Sequence, residues 1–240
     1  MTNLSVNLNK IALLRNSRHL NLPSVTQAAK TCIQAGAHGI TVHPRPDQRH
    51  IRFTDVDELA AMMTVEFNIE GNPLHPPFMD IVRRVKPTQC TLVPDEPNTF
   101  TSNRGWNITA DQEKLVPIIQ ELQDLGSRVS LFMEPDLEQI QMVPEVGANR
   151  IELYTEPYAA AFQAGEVESI FQTYYDAAIL AQSLGLGVNA GHDLNLDNLP
   201  KFCSIPHILE VSIGHALIAD ALDMGLFQAV KEYLHVLEDI

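Results

Sequence analysis

Four times along the chain a helix-like stretch runs into a glycine and then, within a few residues, into a short strand-like segment. The four joints are AGAHGITV (35–42), LGSRVSLF (125–132), VGANRIEL (146–153) and LGLGVNAG (184–191). Each glycine sits where a helix needs a left-handed cap, a backbone conformation that glycine adopts without strain. Strands that follow helices this closely belong to parallel α/β units, so the joint restricts the chain to that class.

The alternation continues between the joints. Strands are expected at Leu4–Asn7, Gly39–Val42, Thr64–Ile69, Gln89–Val93, Arg128–Phe132, Arg150–Leu153, Gly187–Ala190 and Ile208–Ile213. Helices are expected at Pro23–Gln34, Asp55–Met63, Pro77–Val85, Ala110–Leu125, Asp136–Val146, Val167–Leu184 and Asn198–Ile205. A short helix is expected at Ile11–Arg15 and a helical tail from about His215. Eight strand–helix units in 240 residues fit an α/β fold, a single (β/α)8 TIM barrel occupying 1–240 as one catalytic domain. An open doubly wound sheet is the alternative. No strand is followed by GxGxxG or by GxxxxGK with Ser or Thr, which weakens it.

Charge narrows the partners. The net charge of −14 argues against nucleic acid or an anionic membrane as partner. Residues 1–52 nevertheless carry +6, with Asp47 their only acid, and the rest of the chain carries −20. A cationic segment inside an acidic protein suits a small anionic ligand. Apolar runs fall far short of the roughly 20 residues a membrane span needs, and the N-terminus lacks a signal-peptide pattern. Cys32, Cys90 and Cys203 are odd in number and show no metal spacing. Small core thiols in a reducing cytoplasm are the expectation.

In α/β barrels the chemistry sits at the C-terminal ends of the strands. Strand one ends at Asn7 and Asn9, with Lys10, Arg15 and Arg18 close behind. Strand two runs into VHPRPDQRHI, where His43, Arg45, Arg49 and His50 lie within eight positions between two prolines that stiffen the loop. Strand three gives Glu70, and strand four leads to a loop bearing Thr101. Strand five ends near Glu134. Strand six carries Glu152, a carboxylate in an apolar strand that is costly unless paired or functional. Strand seven gives Asn189, Gly191 and His192; strand eight gives Gly214 and His215 at a helix start suited to an anion. Singly, each has a bland explanation as a turn, surface or satisfied core residue. Together they mark one rim. The segment Pro94–Thr109, with the only tryptophan, Trp106, reads as a lid or an unstructured excursion.

VNLNKIALLRNSR, GAHGITVHPRPDQRHI, FNIEG, SLFMEPD, IELYT, GLGVNAGHDLN and SIGHALI, in that order, resemble the pyridoxine 5′-phosphate synthase family nearly end to end. The resemblance implies a (β/α)8 barrel with extra helices, assembled as an octamer, and no cofactor or metal. It implies two phosphorylated small-molecule substrates, 1-deoxy-D-xylulose 5-phosphate and 3-amino-2-oxopropyl phosphate. It implies His43 and Glu70 as general bases, His192 as general acid and Glu152 as transition-state stabiliser. Asn7, Arg18, Gly191, Gly214 and His215 match contacts to the amino-ketone phosphate. Asn9, Lys10, Arg45, His50 and Thr101 match contacts to the ketose phosphate. Many members have Asp-His where this chain has Asn9-Lys10. Two rivals are a metal-dependent barrel isomerase or hydrolase and a catalytically dead binding barrel. His43, Glu70, Glu152, His192 and His215 are reasonable ligands for the first, but show no HxH or HExxH spacing. The second conflicts with the presence of every expected acid and base.

Overall fold

The computed structural model describes residues 1–96, 99 and 102–238. Eight parallel strands close a barrel in chain order. They are β1 (Asn3–Asn7), β2 (Gly39–Val42), β3 (Glu66–Gly71), β4 (Gln89–Leu92), β5 (Arg128–Met133), β6 (Arg150–Tyr154), β7 (Gly187–Gly191) and β8 (Ile208–Ile213). Pairing of β1 with β8, from Asn3 opposite Glu210 to Val6 opposite Ile213, shuts the ring. Among the described residues the helices are α1 (Asn9–Asn16), α2 (Val25–Ala35), α3 (Phe53–Ala60), α4 (Phe78–Val85), α5 (Ile108–Asp124) and α6 (Leu137–Val146). There follow α7 (Glu156–Ala164), α8 (Val167–Ser183), α9 (Leu199–Cys203), α10 (His215–Met224) and α11 (Leu226–Glu238).

The joint glycines adopt the expected backbone: φ is +105° at Gly36, +92° at Gly126, +80° at Gly147 and +81° at Gly185. Helix α2 shows the consequence, since the N–H groups of Gly36 and Ala37 return to the carbonyls of Ile33 and Cys32. Several boundaries differ from the sequence reading. Helix α7 was not expected. It begins Glu-Pro and buries only Tyr158, so it lacks the apolar stripe that announces a helix. The C-terminal tail is two helices, broken at Gly225 with φ +84°. Strand β3 lies at 66–71, two residues later than expected, which places Glu70 inside the ladder opposite Thr91. Trp106 is buried: its indole N–H donates to the Leu92 carbonyl (2.8 Å) and its backbone N–H to that of Phe132 (3.0 Å). That end of the expected lid is therefore part of the core. Thr101 and residues 97, 98 and 100 of the expected lid lie outside the described residues.

Alternation along each strand divides two environments. Leu4, Val6, Ile40, Val42, Ile69, Leu92, Leu131 and Val211 belong to the apolar layer packed with the helices. The intervening residues are polar and meet across the barrel. Gln89 on β4 donates to Glu210 on β8 (3.0 Å), and Thr91 on β4 to Glu152 on β6 (3.2 Å). These strands are not neighbours, so the bonds run through the barrel interior. All three cysteines are free and buried.

A buried ion pair ties the first rim elements together. Arg15 of α1 reaches Asp55 of α3 at 2.5 Å and also donates to the His50 carbonyl at 2.9 Å. The other Asp55 oxygen takes the Arg52 N–H at the start of α3 (2.7 Å). Removing one partner of a buried pair strands the other charge. Asp55→Ala is expected to lower stability by about 3–5 kcal/mol in urea unfolding. A loss below about 1 kcal/mol, the range of exposed pairs, would show the pair to be dispensable.

Candidate active site

The C-terminal strand ends surround a cavity of about 350 Å³. Strands β1, β2 and β3 deliver its first polar unit. The Asn7 amide oxygen takes the Asn9 N–H (2.9 Å), and the Asn9 amide oxygen takes the His43 N–H (2.9 Å). Asn7 Nδ2 also donates to Glu70 Oε2 (3.4 Å), which lies 3.8 Å from His43 Nδ1. A base after β2 and a carboxyl on β3 are thus held by Asn7 at the end of β1 and Asn9 at the start of α1.

The opposite wall carries Glu152 and His192. His192 and Asp193 have φ of +87° and +56°, uncommon for residues with a side chain. Thr155 fixes this strained turn: its N–H (2.9 Å) and its hydroxyl (2.7 Å) both donate to the Gly191 carbonyl. The His192 ring stands edge-on to Tyr154 and Phe132, with centroids 5.3 and 5.7 Å away. Gly191 leaves space for Glu152; a Cβ there would lie 2.5 Å from Glu152 Oε1.

Cations cluster at one end, where Lys10, Arg45 and Arg49 line the cavity together with His50. Arg45 forms a buried ion pair with Asp95. Arg45 and Arg49 each donate to the Thr99 carbonyl at 3.0 Å. After β8, which pairs with β1, Gly214 and His215 open α10, whose N-terminus has no side-chain cap. Uncapped N–H groups at a helix start favour an anion.

Burial shapes the protonation. It holds His43 well below the usual imidazole range, with Arg45, His50, His192 and Arg49 adding repulsion. It pushes His50 down to about 4, with Arg45 next in effect, and lowers His192 as well. It raises Glu70 to about 7, with Asp95 adding and Arg45 opposing. It raises Glu152 well above the carboxylate range, with Glu70 and Glu210 adding. At neutral pH the site therefore offers a neutral imidazole to accept a proton, a protonated carboxyl, and a second carboxyl poised between its two forms.

Of the residues singled out in the sequence, Asn7, Asn9, Lys10, His43, Arg45, Arg49, His50, Glu70, Glu152, His192, Gly214 and His215 line the cavity. Gly191 lies behind Glu152. Arg18 is exposed beyond the end of α1 and does not line it. Leu13, Ser102, Tyr154, Glu156, Asp193 and Ser212 line it without having been singled out. Tyr154 and Ser212 share the inward parity of Glu152 and Gly214 on their strands, a signal present in the sequence. Among the described residues no three His, Cys, Asp or Glu side chains converge as a metal site, and no helix is long and apolar enough to cross a membrane.

Ionising Glu70 is harder in the folded protein than in the unfolded chain. Its contribution to stability is full below the usual 4.5 and is lost as pH rises through about 7. Glu70→Gln is expected to be more stable than the parent at pH 8, an advantage that shrinks toward pH 4. Urea midpoints across that range check it, and a pH-independent difference would refute the buried-carboxyl account.

The sequence profile of a family described as "Pyridoxal phosphate biosynthesis protein PdxJ" matches residues 4–239. A pyridoxine 5′-phosphate synthase from Albidiferax ferrireducens is 54% identical over 97% of this chain and 96% of its own length. Another from Porphyromonas gingivalis is 50% identical over 97% of this chain and 98% of its own. Among solved structures, a phosphoribosylanthranilate isomerase from Thermotoga maritima superposes with a TM-score of 0.61 over the full length of both chains. Its sequence identity of 11% makes that a likeness of fold alone.

Proposed function

The chain belongs to the PdxJ family of pyridoxal phosphate biosynthesis proteins, and from that premise we propose how its site performs the family's reaction. The protein is a pyridoxine 5′-phosphate synthase. It condenses 1-deoxy-D-xylulose 5-phosphate with 3-amino-2-oxopropyl phosphate and forms pyridoxine 5′-phosphate, inorganic phosphate and water. Amine adds to ketone and water leaves. Phosphate is then eliminated, water adds to the carbon it leaves, and a ring-closing carbon–carbon bond forms with loss of two further waters. Every step moves protons, so the site needs bases, acids and two anion subsites.

The observation that carries the assignment of roles is the buried His43–Glu70 pair at 3.8 Å beneath a cationic rim. Neutral His43 and ionised Glu70 accept protons. Protonated Glu152 donates a hydrogen bond to oxygen that gains charge in the transition state. His192 serves as the acid: a bound phosphate ester brings negative charge that favours its imidazolium, and burial makes that imidazolium a strong donor. Gly214, His215 and the start of α10 hold the amino-ketone phosphate, with Asn7 and Gly191 beside them. Asn9, Lys10, Arg45 and His50 meet the ketose phosphate. Arg18 and Thr101 complete the set by family resemblance. The site needs no metal or organic cofactor in this scheme. One catalytic domain spans 1–240, in a cytoplasmic homo-oligomer, an octamer by resemblance. Exposed Leu20 and Leu22 near the rim suit a subunit contact.

His43→Asn is expected to lower turnover of the two phosphorylated substrates by about 10²–10⁴ while leaving the fold intact. Near-normal turnover in the folded variant would sink the assignment. Where many relatives have Asp-His, Asn9 keeps the acceptor that holds the His43 N–H, as an Asp would, so the scaffold survives. Lys10 supplies a flexible point charge instead of an imidazole. Lys10→Ala should weaken the ketose phosphate by roughly 10- to 150-fold, the worth of a charge-assisted hydrogen bond, and the amino-ketone phosphate much less. Calorimetric titration of each ligand separates the two, and unchanged ketose binding would make Lys10 a bystander.

A further inference from the structure

The segment after β4 meets the loop after β2 at one buried carboxylate, Asp95. Its Oδ2 receives the Arg45 guanidinium and the Ser102 hydroxyl, the latter at 2.6 Å. Its backbone carbonyl takes the amide of Asn72, two residues past Glu70, at 3.0 Å. Its other oxygen, Oδ1, is buried with no hydrogen-bond partner among the described residues. Buried acceptors are nearly always satisfied, and an exception beside a reactive centre calls for a reason. A small cavity of about 20 Å³, about the size of one water, lies against Asp95, His43, Arg45 and Asn72. Asp95 does not line the larger substrate cavity, so it touches the reaction only through its neighbours.

We propose that Asp95 is a positioning residue for this reaction: it fixes Arg45 at the rim and sets a negative charge behind the His43–Glu70 pair. The proposal rests on the reading of His43 and Glu70 as the proton-transfer pair. Its physical content is a local balance. Arg45 alone, desolvated beside that pair, would stabilise Glu70 in its ionised form and disfavour any proton on His43. Asp95 offsets that charge at contact distance while leaving the guanidinium in place. The groups that face Glu70 come from several strand ends: His43 and Arg45 after β2, Asp95 after β4, Glu152 on β6 and Glu210 on β8. Of these, Asp95 acts most strongly to keep the Glu70 proton, and Arg45 opposes it. Arg49, His50 and His192 also bear on His43 and, like Arg45, disfavour a proton there.

Asp95→Asn keeps the shape and an acceptor for Arg45 and removes the charge. The readout is carboxyl NMR of glutamate-labelled protein, with Glu70 identified by its loss in Glu70→Gln. The parent midpoint should lie at about 7. In Asp95→Asn it should fall by about one pH unit, with the acid limb of kcat moving the same way. Turnover should drop roughly 10- to 100-fold, mainly in kcat rather than KM. Asp95→Glu, which restores the charge, should return the midpoint most of the way. A folded Asp95→Asn with an unmoved Glu70 midpoint overturns the proposal. If that variant does not fold, Arg45→Gln decides: with Asp95 unopposed the Glu70 midpoint must rise, and a fall or no change overturns the proposal. Failure of the parent protein to make product from the two phosphorylated substrates would overturn the functional reading instead. The NMR midpoint judges Asp95 independently of turnover.

Discussion

A barrel interior filled with polar side chains is the constraint from which the rest of this structure follows. Barrel cores of this fold are usually layers of branched apolar residues. Here the inward positions carry Ser5, Thr41, Asn68, Thr91, Ser130, Glu152, Asn189 and Glu210, all buried. Such groups are costly unless they satisfy one another, and of these eight only the Ser130 hydroxyl has no hydrogen-bond partner among the described residues. Ser5 and Thr41 share a hydrogen bond at 2.7 Å, Asn68 bonds both Thr41 and Thr91, and Asn189 bonds both Gln89 and Glu210. At the N-terminal end Arg128 pairs with Glu66 and donates to Gln89 (2.7 Å), while Arg150 donates to Asn189 (3.0 Å). Stability rests on the outer apolar layer, which leaves the interior available for chemistry. The low dielectric of that interior is what drives Glu70 and Glu152 up and His43 down.

The same constraint explains why the rim is rigid where it touches the acid–base groups. Asn7 and Asn9 spend their amide oxygens on backbone N–H groups of the rim. Thr155 clamps the left-handed turn that presents His192. A general base must sit within about half an ångström of its working position. Two asparagines and a threonine reach that precision with short side chains, because each is anchored on backbone, Asn7 and Asn9 through their amide oxygens and Thr155 through its hydroxyl.

The joint glycines, the eight strands and most rim residues were legible because they follow from local rules. Helix caps, strand ends and residue chemistry act within a few positions of one another. Helix α7 was not legible, because a helix that buries only Tyr158 leaves no apolar period to find. The two-residue displacement of β3 came from Thr64, a good strand former that lies outside the ladder. The pairing of Arg15 with Asp55 and of Arg45 with Asp95 joins residues 40 and 50 positions apart. No periodicity encodes which carboxylate an arginine will meet. The polar interior was written in the alternation of NLSVN, FNIEG and RVSLF, but a short strand with one polar face also reads as a strand with one face in water. Only closure of the barrel turns that face inward.

The cationic N-terminal segment changes meaning once its partners are known. Counted along the sequence, residues 1–52 carry +6. In the fold Arg15 is matched by Asp55, Arg45 by Asp95 and Arg49 by Asp47. Two of these acids come from beyond the segment, and His50 is held neutral at pH 7. The attraction left for a phosphate at this end is therefore smaller than the sequence count implies. Lys10 lines the cavity and has no ion pair among the described residues. Its charge is thus fully available to a ligand, while the arginines act as fixed hydrogen-bond donors whose carboxylates hold their geometry. Paired guanidiniums give direction and an unpaired ammonium gives charge. A site that must bind a phosphate ester and still leave Glu70 poised between its two forms at neutral pH needs that division, because two unpaired arginines beside the carboxyl would hold it ionised.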